Sequence, residues 1–352
     1  MHRDSVNPIK RLRIWRLAIV FVCVLALVLG GELAVHEWWL SPHGSHATVG
    51  QKHSPSPTLT DAPAQKGNST STDMDMNQVH RLQQEYAGAN GWIWRARLPY
   101  ERLVVFYGNP GSAPMGPIGQ YSDDELMAKL QQQAQAYADI DPSRPVVPAL
   151  DYVTPVVQPV PMADNTWVYR MSDDSIQHYI TLANSHHALF FFDMQVGHST
   201  VQNEVNHVWP YLQQPGVELS LDPEFDLSPG EIPDVVFGHM RAAEINWAID
   251  QLSQLVQTEH LPPKILIVHR FLQEMLPDWQ NIKLKPGVQV IITVDGFGAP
   301  SQKIGDYQAY DNQELLPGEF PGMKLFYRLD QPLMSPSDLL ALNPPPLMVM
   351  YQ

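Results

Sequence analysis

A single cysteine in 352 residues, Cys23, excludes an internal disulfide, and its place inside an apolar run makes it uninformative about redox compartment. Basic residues are scarce too. Twenty-two Lys and Arg face 37 Asp and Glu, a net charge of -15, and the acidic excess lies beyond residue 77. A body that acidic repels phosphate backbones. The one basic cluster, Arg3, Lys10, Arg11, Arg13 and Arg16, adjoins an apolar segment rather than a folded surface, so nucleic acid is not an expected partner. Three motifs are missing as well. "YGNPGSAPMGPIG" (107–119) lacks the G-x-G-x-x-G spacing of a phosphate-binding turn. No G-x-S-x-G nucleophile elbow occurs. Finally, His198, His239 and His269 form neither H-x-H nor H-E-x-x-H.

What is present begins with an unbroken apolar run from Leu17 to Leu29. With Gly30, Gly31 and Leu33 to Val35 it reaches about the length that spans a bilayer. The positive-inside rule puts the amino terminus in the cytoplasm, and Trp38 and Trp39 suit the outer interface. A cleaved signal peptide is the rival reading, but no A-x-A site follows the run. The expected organisation is therefore a cytoplasmic basic tail (1–16), a transmembrane signal-anchor (17–39), a disordered linker (40–77) and a folded domain (78–352). The linker is rich in Ser, Thr, Pro, His and Gly and has almost nothing large and apolar to bury. The protein is thus expected in the cell membrane as a single-pass chain, with its C-terminal domain extracytoplasmic.

In the body, short apolar runs alternate with helical patterns. Strands are predicted at 102–108, 145–153, 188–196, 217–224, 264–271, 288–296, 324–330 and 347–352. Helix starts are read at Ser122 with Glu125, Ser199 with Gln202 and Ser335 with Asp338, and a helix is read over 242–257. Eight such alternations predict an α/β fold, a (β/α)8 TIM barrel, with a doubly wound open sheet as runner-up. No helix follows strand eight, so the helical segment 76–88 is expected to fill that vacancy or plug the barrel's bottom.

Barrel sites form after the carboxyl ends of the strands. Those ends hold Asn109; Asp151 and Tyr152; Asp193 and Gln195; Asp222 and Glu224; His269 and Arg270; Asp295; Tyr327 to Asp330; and Tyr351 with Gln352. In "VELSLDPEF", alternation puts Glu218, Ser220, Asp222 and Glu224 on the inner face, and Pro223 marks the end of the ladder. Carboxylates at i and i+2 lie about 7 Å apart along a strand, and two like charges so placed push one pKa up, as a general acid requires. Glu224 is therefore read as acid/base with Asp222 tuning it, and Asp295 or Asp193 as nucleophile or base. Tyr107, Asn109, Gln195, His269, Tyr327 and Tyr351 are read as substrate-binding, and no metal or cofactor is assigned. A glycan or other small ligand at the barrel mouth is the expected partner, besides the membrane. Two alternatives stand beside this: a metal-dependent barrel hydrolase using His198, His239 or His269, and a non-catalytic ligand-binding barrel. Glu218 should lie deep in the barrel, with Lys264 as its partner.

The strand-four D-x-E resembles that of chitinase-type barrel glycosidases and of one bacterial and fungal lysozyme family. The fuller chitinase pattern has acids where this chain has Val217 and Ser220. The segments "FYGNPGSAPMGPIG", "DMQVGHS", "LDPEF", "GHMRAAEIN" and "VDGFG" and the terminal "YQ" resemble a group of exported bacterial barrel proteins. That likeness implies the barrel and export, and no particular reaction.

Overall fold

The computed structural model describes residues 96–352. The tail, anchor, linker and 76–88 helix expected from the sequence lie outside the described residues. Among the described residues, no helix is long and apolar enough to cross a membrane.

Eight strands close into one barrel: β1 (Arg102–Gly108), β2 (Val146–Val153), β3 (Leu189–Met194), β4 (Val217–Leu221), β5 (Lys264–Arg270), β6 (Val288–Val294), β7 (Phe320–Leu325) and β8 (Met348–Tyr351). Each pairs in parallel with the next in sequence, and β8 closes on β1. The outer helices are α1 (Asp123–Ile140), α2 (Asp173–Ser185), α3 (Val201–Leu212), α4 (Ala242–Thr258), α5 (Pro300–Tyr307) and α6 (Pro336–Leu340). Between β5 and β6 the chain makes only two 3-10 turns, Gln273–Met275 and Trp279–Asn281.

The predicted caps hold unevenly. Ser335 and Asp338 form a reciprocal capping box at α6. Ser122 precedes α1 without a side-chain cap bond. At α3 the cap is Thr200, not Ser199, its hydroxyl accepting from Asn203 N at 3.1 Å. Ser199 N instead closes a turn onto Val196 O.

Alternation sorts the strand side chains into two layers. Val104, Phe106, Phe190, Leu219, Val268, Val290 and Val349 face the helices. Leu103, Val105, Ala149, Phe191, Ile265, Ile267, Ile291, Phe320, Met348 and Met350 fill the bore. The bottom is closed by Leu98, fully buried against this inner cluster. Gln289 holds it in place: its Oε1 accepts from Arg97 N (3.0 Å) and Leu98 N (3.4 Å), and its Nε2 donates to Leu98 O (2.8 Å).

Strand seven departs from its predicted position, running over 320–325 rather than 324–330. Pro321 and Gly322 read as turn residues, yet both serve the strand. Pro321 O accepts from Leu347 N at 2.9 Å. Gly322 faces a narrow bore, where a Cβ would come within 2.9 Å of Ile291 Cγ2 and Met348 Cε. The chain turns directly after Leu325 because the Asp330 carboxylate accepts from Phe326 N (2.9 Å) and Gly298 N (2.8 Å). The shorter β4 has the same kind of cause: it ends at Leu221, two residues before Pro223, which cannot donate to a ladder.

Glu218 is buried in the bore as expected, but its Oε2 accepts from Ile265 N at 2.7 Å. Lys264 Nζ donates to the carbonyls of Gln214 and Val217, at 2.8 and 2.7 Å. Lys264 therefore reaches Glu218 through its charge alone. Burial still leaves the Glu218 carboxyl above its ordinary pKa.

Candidate active site

A pocket opens at the carboxyl end of the barrel. Three carboxylates line it: Asp222 and Glu224 from the end of β4 and Asp295 from the end of β6. Lys324, the cation on this lining among the described residues, comes from β7. Gln195 and Gln352 supply amides, and Phe225, Phe237, Phe271, Phe297 and Phe326 form an aromatic wall with Tyr107.

The local fold at β4 follows from Pro223. With the ladder broken, residues Pro223–Phe225 coil into a 3-10 turn capped by Asp222, whose Oδ1 accepts from Glu224 N at 3.3 Å. That turn sets the Glu224 side chain in the mouth rather than continuing the inner face of a strand. Burial, with the charges of Asp222 and Asp295, raises the Glu224 carboxyl well above the ordinary range. Asp222 is pushed up to about 7 by burial and by the charges of Asp193 and Asp295, against the opposing pull of His269 and Lys324. Carboxyls that keep protons near neutral pH can donate them to a leaving group.

Below the pocket lies a sealed layer. His269 sits at its centre, fully buried, on β5. Its Nδ1 is 3.0 Å from Asp295 Oδ2, and its Nε2 is 3.1 Å from Asp193 Oδ2 and 3.7 Å from Asp151 Oδ2. Ser220 Oγ donates to Asp193 Oδ2 at 3.3 Å and lies 3.0 Å from His269 Nε2. Burial works against a charged imidazole, but the carboxylates of Asp151, Asp193 and Asp295 around the ring outweigh it and raise the His269 pKa well above its ordinary value. Asp151 is pushed up to about 6 by burial and by Asp193.

The structure distributes the residues read from the sequence as follows. Asp222, Glu224, Asp295, Tyr107 and Gln195 meet at the pocket. Asp193 and His269 belong to the layer beneath it, outside the lining. Asn109 is buried, its Nδ2 donating to Val153 O at 2.9 Å and its Oδ1 accepting from Gly111 N, so it holds the loop after β1. Tyr327 and Tyr351 stack on each other outside the bore, and Tyr351 shares a 2.7 Å hydrogen bond with Tyr137 of α1. Arg270 also faces outward, paired with Glu314 at 2.6 Å and lying over Tyr310. His198 stacks on Trp167 and bonds Glu231 O at 2.7 Å, away from the acids, and His239 is likewise absent from the pocket lining.

Sequence reasoning passed over Lys324, because the misplaced register of β7 put Tyr327 at the strand end instead. It named Asp151 without giving it a role. Ser220 was assigned to the inner face but not to the acids it bonds; the matching alternation of Ser220 and His269 on neighbouring strands is the signal that could have joined them.

No family model matches the chain, and no curated protein matches it. Among solved structures it is similar to the spore coat polysaccharide biosynthesis protein SpsE of Bacillus subtilis. The TM-score is 0.39 with 9% identity, over 71% of this chain and 59% of that one. The chain thus spans less than two thirds of that protein's length. The barrel here is established by its own strand pairing, and nothing about its chemistry rests on that neighbour.

Proposed function

We propose that the barrel is an acid/base hydrolase of glycans, with Glu224 as the general acid/base and Asp222 setting its pKa. The observation that carries this reading is the meeting of Asp222, Glu224 and Asp295 in one pocket walled by phenylalanines. Asp295 is the second carboxylate, as nucleophile or base, because it lines the pocket whereas Asp193 lies beneath it. Its Oδ2 is engaged by His269, and its Oδ1 has no hydrogen-bond partner among the described residues.

The chemistry follows from the protonation states. Glu224, held protonated by burial and like charge, gives its proton to the departing glycosidic oxygen. The positive charge that develops on the sugar is stabilised by the neighbouring carboxylates in a poorly solvated pocket. Aromatic faces suit the apolar faces of a sugar ring while leaving its hydroxyls to Gln195, Gln352 and Lys324. The basic 1–16 segment and the apolar run after it support a membrane-tethered enzyme working on envelope or environmental glycans outside the cytoplasm.

The test is Glu224→Gln, assayed by release of new reducing ends from cell-wall fragments and soluble glycans. Hydrolysis should fall by at least 100-fold with the thermal unfolding midpoint retained. Wild-type turnover of none of these glycans, with binding intact, would instead make the barrel a ligand-binding module.

A further inference from the structure

We propose that Asp151, Asp193 and His269 form a divalent transition-metal site in the layer beneath the pocket. All three are fully buried, and one ligand atom from each lies within 4.8 Å of the others. They come from β2, β3 and β5, so the barrel itself fixes their convergence.

Two of the three ligand separations fit a bound ion. Zinc held at about 2.0–2.2 Å by imidazole and carboxylate in tetrahedral geometry separates its ligand atoms by about 3.4 Å. The observed separations from His269 Nε2, 3.1 Å to Asp193 Oδ2 and 3.7 Å to Asp151 Oδ2, bracket that value.

A second, independent observation is the state of Asp151. Among the described residues neither of its oxygens has a hydrogen-bond partner, nor does Asp193 Oδ1, although these atoms are sealed from solvent. Buried carboxylates are normally satisfied, and an unsatisfied one calls for an ion or a water. His269 cannot satisfy Asp151 as well, since its two ring nitrogens are already engaged by Asp295 and Asp193.

The outer partner is also in place. Asp295 Oδ2, 3.0 Å from Nδ1, accepts that N–H and orients the ring with Nε2 toward the ion; this is the carboxylate–histidine–metal arrangement. Binding displaces the Nε2 proton of His269, and the two carboxylates with the imidazole then neutral carry a charge of about −2, which a divalent ion neutralises. A mixed imidazole and carboxylate set favours Zn2+ or Mn2+ over Mg2+.

This inference goes beyond the acid/base reading and does not depend on it. Glu224→Gln should abolish hydrolysis under that reading and leave metal uptake unchanged under this one. The experiment takes the purified full chain, measures bound metal by elemental analysis, strips it with a chelator, and titrates Zn2+ by calorimetry and thermal shift. The expected result is one tight ion per chain, a lower unfolding midpoint after stripping, and recovery on adding Zn2+. Asp151→Asn should weaken that tight binding by at least 100-fold and Asp295→Asn by about 10–100-fold. The linker histidines cannot mimic this pattern, because neither substitution touches them. If a variant fails to fold, Co2+ loaded into the wild type reports directly, through the visible absorption of a nitrogen- and oxygen-ligated site. Absence of a stoichiometric ion in the wild type, or uptake unchanged in a folded Asp151→Asn, overturns the proposal.

Discussion

The Lys324 ammonium stands 3.5 Å from the centroid of the Tyr107 ring, so a cation is held over an aromatic face at the edge of an acidic pocket. The contact stabilises by about 0.5–2 kcal/mol. Its larger consequence is electrostatic, because the charge of Lys324 lowers the carboxyls of Asp151, Asp222 and Glu224 against the burial that raises them. In Lys324→Met that opposition is lost, and Glu224 keeps its proton to higher pH. The alkaline limb of the kcat/KM profile should move up by about one pH unit or more. An unchanged profile in a folded variant would show that Lys324 does not govern the acid.

Leu98 offers a test of the barrel's closure. It is fully buried beneath the bore, and the Gln289 amide holds its backbone. Leu98→Ala leaves that clamp intact and removes only apolar volume, so the expected cost is about 2–5 kcal/mol of unfolding free energy. Chemical denaturation should show it as a lower midpoint with an unchanged slope. A loss under 1 kcal/mol would mean that the bottom is open to water.

Gly322 connects stability to the one strand that sequence reasoning misplaced. An added Cβ there meets Ile291, Met348 and Thr293 at 2.9 to 3.1 Å, so Gly322→Ala should cost about 1–3 kcal/mol through overpacking, read as a lower unfolding midpoint. The tightness is a property of the closed barrel, visible only once β6, β7 and β8 are side by side. Pro321 and Gly322 are residues that strands disfavour, and the strand predicted from the chain starts four residues late, at 324 rather than Phe320. The shift hides Lys324 and promotes Tyr327.

By contrast, β1 and β5 are bounded by local signals, and the inner face of β4 follows from strict alternation. What alternation cannot supply is depth. Asp193, His269 and Asp295 all face inward, but whether an inward residue meets substrate or a sealed layer depends on the stagger between strands. Tyr351 fails for a related reason, because the outward Tyr351 and the pocket-lining Gln352 are adjacent in the chain.

Asp226 should make stability fall as pH rises. Burial and the neighbouring charge of Glu244 push its carboxyl up to about 8, against an ordinary value of about 4. The folded state therefore binds the proton more tightly than the unfolded chain does. That stabilisation is complete below about pH 4 and lost as pH climbs through about 8. Asp226→Asn removes the titration, so its unfolding midpoint should exceed the wild type's at pH 8 and converge with it near pH 4. Thermal scans across that range decide it, and a constant difference would exclude Asp226 as the cause.

The strongest check on the proposed acid is a pair of substitutions with opposite signs. Glu224 is faced by Asp222, Asp295 and Asp234, which raise its pKa, and by Lys324, which lowers it. Asp222→Asn removes a negative neighbour but keeps an oxygen able to accept from Glu224 N, the bond seen at 3.3 Å. Glu224 should then release its proton at lower pH, and the alkaline limb of kcat/KM should shift down by about one unit or more, where Lys324→Met shifts it up. In the double variant the two charges cancel to first order, so the limb should return toward the wild-type position. Shifts of the same sign in both single variants would rule out charge on Glu224 as their common cause, and with it the assignment of that residue as the acid.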